Sequence, residues 1–180
     1  MAFFTMMWAG IAQGGLQGSD HYIHLVICSI FSLIFIVYGI RLLLLAKRFP
    51  KFTSAGHQVM GKQMSKAFGI IFGIEGLAIP AVSALLGLTH HEQYILPAIA
   101  LIVGLHFYPM ARIFHRTIDY YLATWSCLVA LAAIFITFRS SWPETSIMSF
   151  LGIGVSLATI SYGLYMLRTA RKLDLYAPVK

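Results

Sequence analysis

Glu75 lies in the run FGIIFGIEGLAIPAV, with apolar residues on both sides. An ionisable side chain near the middle of a bilayer is costly and ordinarily faces a partner or a cavity, so this carboxyl group is the first candidate for chemistry. His106, in GLHFYP, is the second. With the helix ends given below, Glu75 falls roughly 12 Å and His106 roughly 9 Å from the same membrane edge, at about 1.5 Å of rise per residue. A carboxyl and an imidazole at one depth on neighbouring helices can hold or relay a proton, because histidine exchanges its proton near neutrality. The same residues also have a purely structural use, in which Glu75 pairs with Arg41, His106 or a hydroxyl to lock helices together.

Other polar groups reach that level. Ser126, Thr159 and Tyr162 fall in the same half of the membrane, with Tyr38 and Tyr108 near its edge. Interhelical hydrogen bonds alone account for such residues, at about 0.6 kcal/mol each. Pro80 and Pro109 follow Glu75 and His106 closely in sequence, and each removes an amide donor and kinks a helix beside them. Gly69, Gly73 and Gly76, and Gly152, Ser156 and Ser161, form two sets of small residues suited to close helix approach.

A second cluster is expected at the opposite surface: Asp20, His21 and His24 before the first long apolar run, and His90, His91 and Glu92 after the second. Imidazoles and carboxylates suit zinc or copper, which makes His21, His24, His90 and His91 metal candidates, although all are also ordinary loop residues. His57, Met60 and Met64 have helical spacing that offers soft copper ligands, or simply touches lipid. A haem between two histidines fits poorly, because only His106 lies well inside an apolar run. Cys28 and Cys127 sit at different depths, which disfavours a disulfide. No nucleophile elbow, phosphate loop, dinucleotide fingerprint or catalytic carboxylate pair occurs, so enzymatic activity is not the favoured reading and no cofactor is specified.

The elements that must position these residues follow from composition. The chain has 180 residues, 59% of them hydrophobic and 11% charged, with a mean hydropathy of +0.80. Only a bilayer solvates such a chain. Five apolar runs, roughly 25–46, 67–88, 94–113, 120–138 and 147–167, each approach the length of about 20 residues that a spanning helix needs. The reading is an all-α bundle of five transmembrane helices in one domain. The N-terminal MAFFTMMWAGIAQGG is too short to span and lacks a basic n-region, so it reads as an interfacial lead-in rather than a cleaved signal.

Orientation follows from the basic residues. Arg41, Lys47, Arg48, Lys51, Lys62 and Lys66 fall at the first connection, Arg112 and Arg116 at the third, and Arg168, Arg171, Lys172 and Lys180 at the C-terminus, with Arg139 alone on the other side. Cytoplasmic loops carry the positive excess, so the N-terminus is expected outside and the C-terminus inside, in a bacterial-type inner membrane. Topology thereby explains the net charge of +7 without nucleic acid. The connection KRFPKFTSAGHQVMGKQMSK reads as a surface-lying segment drawn to anionic lipid.

The segment GLHFYPMARIF, Gly104 to Phe114, resembles a G-L-H-F-x-P-x-A signature of small bacterial membrane proteins of uncharacterised function. The resemblance covers the third and fourth helices and departs from that leucine-rich pattern at Tyr108 and Met110. It implies a multi-helix membrane fold and marks His106 and Pro109, but implies no activity. Three functions compete: proton-linked transport or permeation of a small solute or ion, with oligomers completing the pathway; a non-catalytic subunit of a larger membrane complex; and a membrane metal or redox protein.

Overall fold

The computed structural model describes residues 1–46, 55–139 and 142–174. Among them are six α-helices and no strand: α1 (Ala2–Leu16), α2 (Ile23–Ala46), α3 (Ala55–Leu88), α4 (Ile95–Phe114), α5 (Thr117–Arg139) and α6 (Glu144–Asp174), with a 3-10 turn at Glu92–Tyr94. Five helical stretches are long and apolar enough to cross a membrane: Ile23–Ala46, Gln58–Leu88, Glu92–Phe114, Thr117–Arg139 and Glu144–Arg171. Each contains one of the five runs expected from sequence. The chain is thus a multi-pass helix bundle whose outer residues suit lipid: Leu77, Leu88 and Phe138 are each at least three-quarters exposed.

The sixth helix corrects the sequence reading. The N-terminal stretch is not a surface lead-in: α1 is packed inside the bundle, with Thr5, Trp8, Ala9 and Ala12 fully buried. Thr5 donates to Thr159 over 2.9 Å, Ala12 meets Gly152, and Gly15 meets Ser149, so α1 runs antiparallel to α6. It also runs antiparallel to α2, where Ser32 donates to the Ala2 carbonyl. Small residues explain the docking: a Cβ on Gly152 would lie only 2.6 Å from the Ala12 Cα. At 15 residues α1 is about 22 Å long, too short to cross alone.

Two other boundaries move. Residues 55–66, expected in a surface-lying connection, continue α3 without a break, and α6 runs on past 167 to Asp174. Residues 47–54 of that connection, and the His57 side chain, lie outside the described residues.

The main core joins α1, α4, α5 and α6 through Trp8, Ala100, Ala130, Ala133, Leu151 and Val155. Burial along α5 follows Asp119, Leu122, Ala123, Ser126, Cys127 and Ala130, the spacing of one helix face. The crossing of α4 and α5 is equally close, because Gly104 has no side chain where Cys127 approaches. By contrast α3 packs chiefly along α4.

Candidate functional site

Helices α3 and α4 bring Glu75 and His106 together. His106 Nδ1 lies 3.3 Å from Glu75 Oε2, and the two side chains are only 10% and 9% exposed. Neither atom has a well-directed hydrogen bond to any other group, so each is the other's principal polar neighbour. The imidazole is held in place by rings: it stacks on Phe107 at 4.2 Å between centroids and tilts against Phe72 at 5.5 Å. A charge on one member alone is expensive in such surroundings, whereas an ion pair and a neutral pair differ by one proton moved between the two atoms.

Beside His106 is a cavity of about 50 Å³ lined by Phe4, Trp8, Phe72, Phe107 and Val155, among others, with Ser126, Thr159 and Tyr162 also in its wall. At about 10–15 Å³ per water this space holds a few waters or a small solute. The Trp8 indole N–H is buried without a hydrogen-bond partner. Thr159 already donates to the Ser156 carbonyl while accepting from Thr5.

Of the residues singled out beside Glu75 and His106, Ser126, Thr159 and Tyr162 share this cavity, whereas Tyr38, Tyr108 and Arg41 do not. Tyr108 bonds Thr124 over 3.0 Å, with its ring beside Tyr120. Arg41 is exposed near the end of α2, 5.9 Å above the Tyr38 ring, and α2 packs on α1 and α6.

The structure adds two residues that sequence reasoning left in a connection. Asp119 is fully buried on the inner face of α5, beside the Tyr162 hydroxyl and close to Arg116. Neither of its oxygens makes a well-directed hydrogen bond. Arg116 donates to the Tyr162 hydroxyl over 3.1 Å, so Tyr162 links the cation and carboxylate to the cavity wall. A sequence signal for Asp119 existed: it precedes Leu122, Ala123 and Ser126 by three, four and seven residues, the repeat of one helical face. Starting the fourth helix at 120 hid it.

The histidine-rich surface is arranged otherwise than a metal site. Asp20 accepts from the backbone amides of Tyr22 and His24, capping α2, and these bonds hold its carboxyl below the usual carboxylate range. The His24 ring turns inward, with Nε2 3.2 Å from Ser156 Oγ and 3.5 Å from Cys28 Sγ. His91 Nδ1 is 2.7 Å from the Thr89 carbonyl, while His21 and His90 occupy left-handed turn positions with φ of 52° and 58°. Among the described residues no group of three or more histidine, cysteine or acidic side chains is placed to hold a metal. Cys28 and Cys127 are both buried free thiols.

Comparison of the chain with protein-family models, with curated proteins and with solved structures returns no match, so the functional argument rests on this geometry.

Proposed function

We propose that this protein carries out proton-linked transport or permeation of a small solute or ion, with Glu75 and His106 as the proton-exchanging centre and the basic face of the bundle in the cytoplasm of a bacterial-type inner membrane. One observation carries the reading: a carboxyl and an imidazole 3.3 Å apart, both about nine-tenths buried, on two membrane-spanning helices beside a small cavity. Ionisable groups inside a bilayer are rare, pair with one another and mark ion and proton pathways. The cavity volume restricts the solute to a small one. Asp119 and Tyr162 extend the polar groups from His106 toward Arg116 and the basic face.

The test uses liposomes loaded with a pH-sensitive dye and a potassium diffusion potential across the membrane. Protein-dependent proton flux is expected, with Glu75→Gln and His106→Gln each lowering it at least tenfold while both variants still purify as folded bundles. Flux equal to that of protein-free liposomes, or unaltered flux in both variants, overturns the reading.

A second reading, a subunit of a larger membrane complex or of a homo-oligomer, is favoured by one feature. Gly69, Gly73 and Gly76 on α3 are exposed, and a Cβ at any of them would meet nothing within 4 Å. That face fits another helix from outside the chain. Crosslinking through cysteines placed at 69 and 73 in native membranes distinguishes this reading, because an isolated monomer yields no adduct.

A further inference from the structure

Asp119 is the third residue of α5, a position where a carboxylate ordinarily caps the first-turn amides. It caps nothing here: the side chain is fully buried and neither oxygen makes a well-directed hydrogen bond. Arg116, just before α5, spends an N–H on the Tyr162 hydroxyl over 3.1 Å, which leaves the phenolic proton for the carboxyl beside it. A carboxyl held away from water inside a membrane bundle is costly, and such groups serve proton relays. Depth relates Asp119 to His106. At about 1.5 Å of rise per residue, Asp119 lies about 3 Å inside the start of α5 at Thr117, and His106 about 12 Å inside the end of α4 at Phe114. Tyr162 joins the two levels: its hydroxyl accepts from Arg116, its ring meets Phe107 edge-on at 6.0 Å between centroids, and Phe107 stacks on His106. His106 and Tyr162 also line one cavity, with room for the few waters that carry a proton between them.

We propose that Asp119 is a second proton-exchanging residue between His106 and the basic face, an assignment that rests on the proton-transport reading of the Glu75 and His106 pair. Its carboxylate takes the proton that the His106 imidazole releases through the cavity. The neutral acid then gives that proton to water at the basic face, which restores the carboxylate. Tyr162 and Arg116 are positioning residues: the phenol offers its O–H to the ionised carboxyl, and the guanidinium balances the charge. A bare carboxylate at this place would be too costly to form, and one locked in a close ion pair would not readily take up a proton. Among the described residues, the titratable and charged groups that face Asp119 are Arg116 from the same helix, Tyr162 from α6 and His106 from α4.

The liposome flux measurement, extended to Asp119→Asn and Asp119→Glu in the full chain, tests it. Wild-type flux no greater than that of protein-free liposomes overturns proton transport itself, and Asp119 falls with it. With wild-type flux present, Asp119→Asn keeps the shape and loses the exchangeable proton, so flux should drop at least tenfold, whereas Asp119→Glu should keep most of it. Unaltered flux in Asp119→Asn, or equal loss in both variants, overturns the role of Asp119 and leaves the Glu75 and His106 pair standing. Infrared titration of the chain in lipid supplies a readout that packing alone does not move. A carboxyl C=O band should titrate in the wild type, move in Asp119→Glu, and change its midpoint in His106→Gln. A midpoint indifferent to His106→Gln, or no titrating band that Asp119→Glu moves, overturns the assignment, and this decides the matter if Asp119→Asn does not fold.

Discussion

Helices α6 and α3 are both long, apolar and rich in glycine, yet they stand at opposite extremes of packing. In the most apolar window of α6, 61% of residues are buried inside the bundle; in that of α3 the share is 6%. Gly152 and Gly163 on α6 lie against α1 and against the Phe35 ring, whereas a Cβ on Gly69, Gly73 or Gly76 of α3 would meet nothing within 4 Å among the described residues. Identical small-residue chemistry therefore serves internal packing in one helix and leaves an open surface in the other. Glu75 is the exception on α3: it is buried, and it is buried against α4. The polar centre and the open glycine face thus belong to one helix.

The largest effect that would break this contrast is at Gly152. A methyl group there must enter the backbone of α1, 2.6 Å from the Ala12 Cα and 2.7 Å from its Cβ, so Gly152→Ala should cost about 3 kcal/mol or more, read as a loss of folded protein in a detergent melt. A neutral result means that α1 is not docked on α6 as described. Next in size is Asp119→Ala on α5, which removes the buried carboxyl beside the Arg116–Tyr162 pair and should cost about 2 kcal/mol, whereas Asp119→Ala combined with Arg116→Leu should cost less than the sum of the two changes. Strict additivity would show that Asp119 and Arg116 act separately.

Gly73→Ala sharpens the contrast from the other side. With open space around it and a helical backbone, the change should leave monomer stability within about 1 kcal/mol or raise it slightly. If copies or partners use that face, the same variant should lower association in membranes while the monomer melts normally. The smallest effect is at Asp20, outside the spans. Its carboxyl has a folded-state pKa below the ordinary value of about 3.9 because it accepts backbone amides at the start of α2. Its contribution is therefore complete above about pH 4 and fades as the pH falls toward the folded value. Asp20→Ala should remove that acid dependence, with wild-type and variant melts converging at low pH.

Much of the molecule was legible in the residues. Five apolar runs were visible because the length of a spanning helix is set by bilayer thickness, not by tertiary detail. Glu75 and His106 could be paired on depth alone, because helical rise is constant and the loop between α3 and α4 is short. Arg41 could not be placed: depth says nothing about which side of a helix faces which neighbour, and α2 turned toward α6. The burial of α1 was hidden because 15 apolar residues fit an interfacial helix as well as an internal one; only the partner glycine on α6, more than 130 residues later, distinguishes them. Asp119 was missed for a related reason, as a one-turn error in a helix start moves a residue from a loop to the inner face.

The docking of α1 also bears on how the protein is made. Thr5 touches Thr159 and Ala12 touches Gly152, so α1 is completed by a helix made more than 100 residues after it. At about 5–20 residues per second, α1 is synthesised many seconds before its main binding face exists. Through that interval α2 is its principal neighbour, and the side of Trp8 that meets Leu151 and Val155 is uncovered. Assembly is consequently a closing of α1 upon α6 after the intervening spans are in place, and a truncation before α6 should leave α1 open to protease in membranes while the chain that includes α6 protects it.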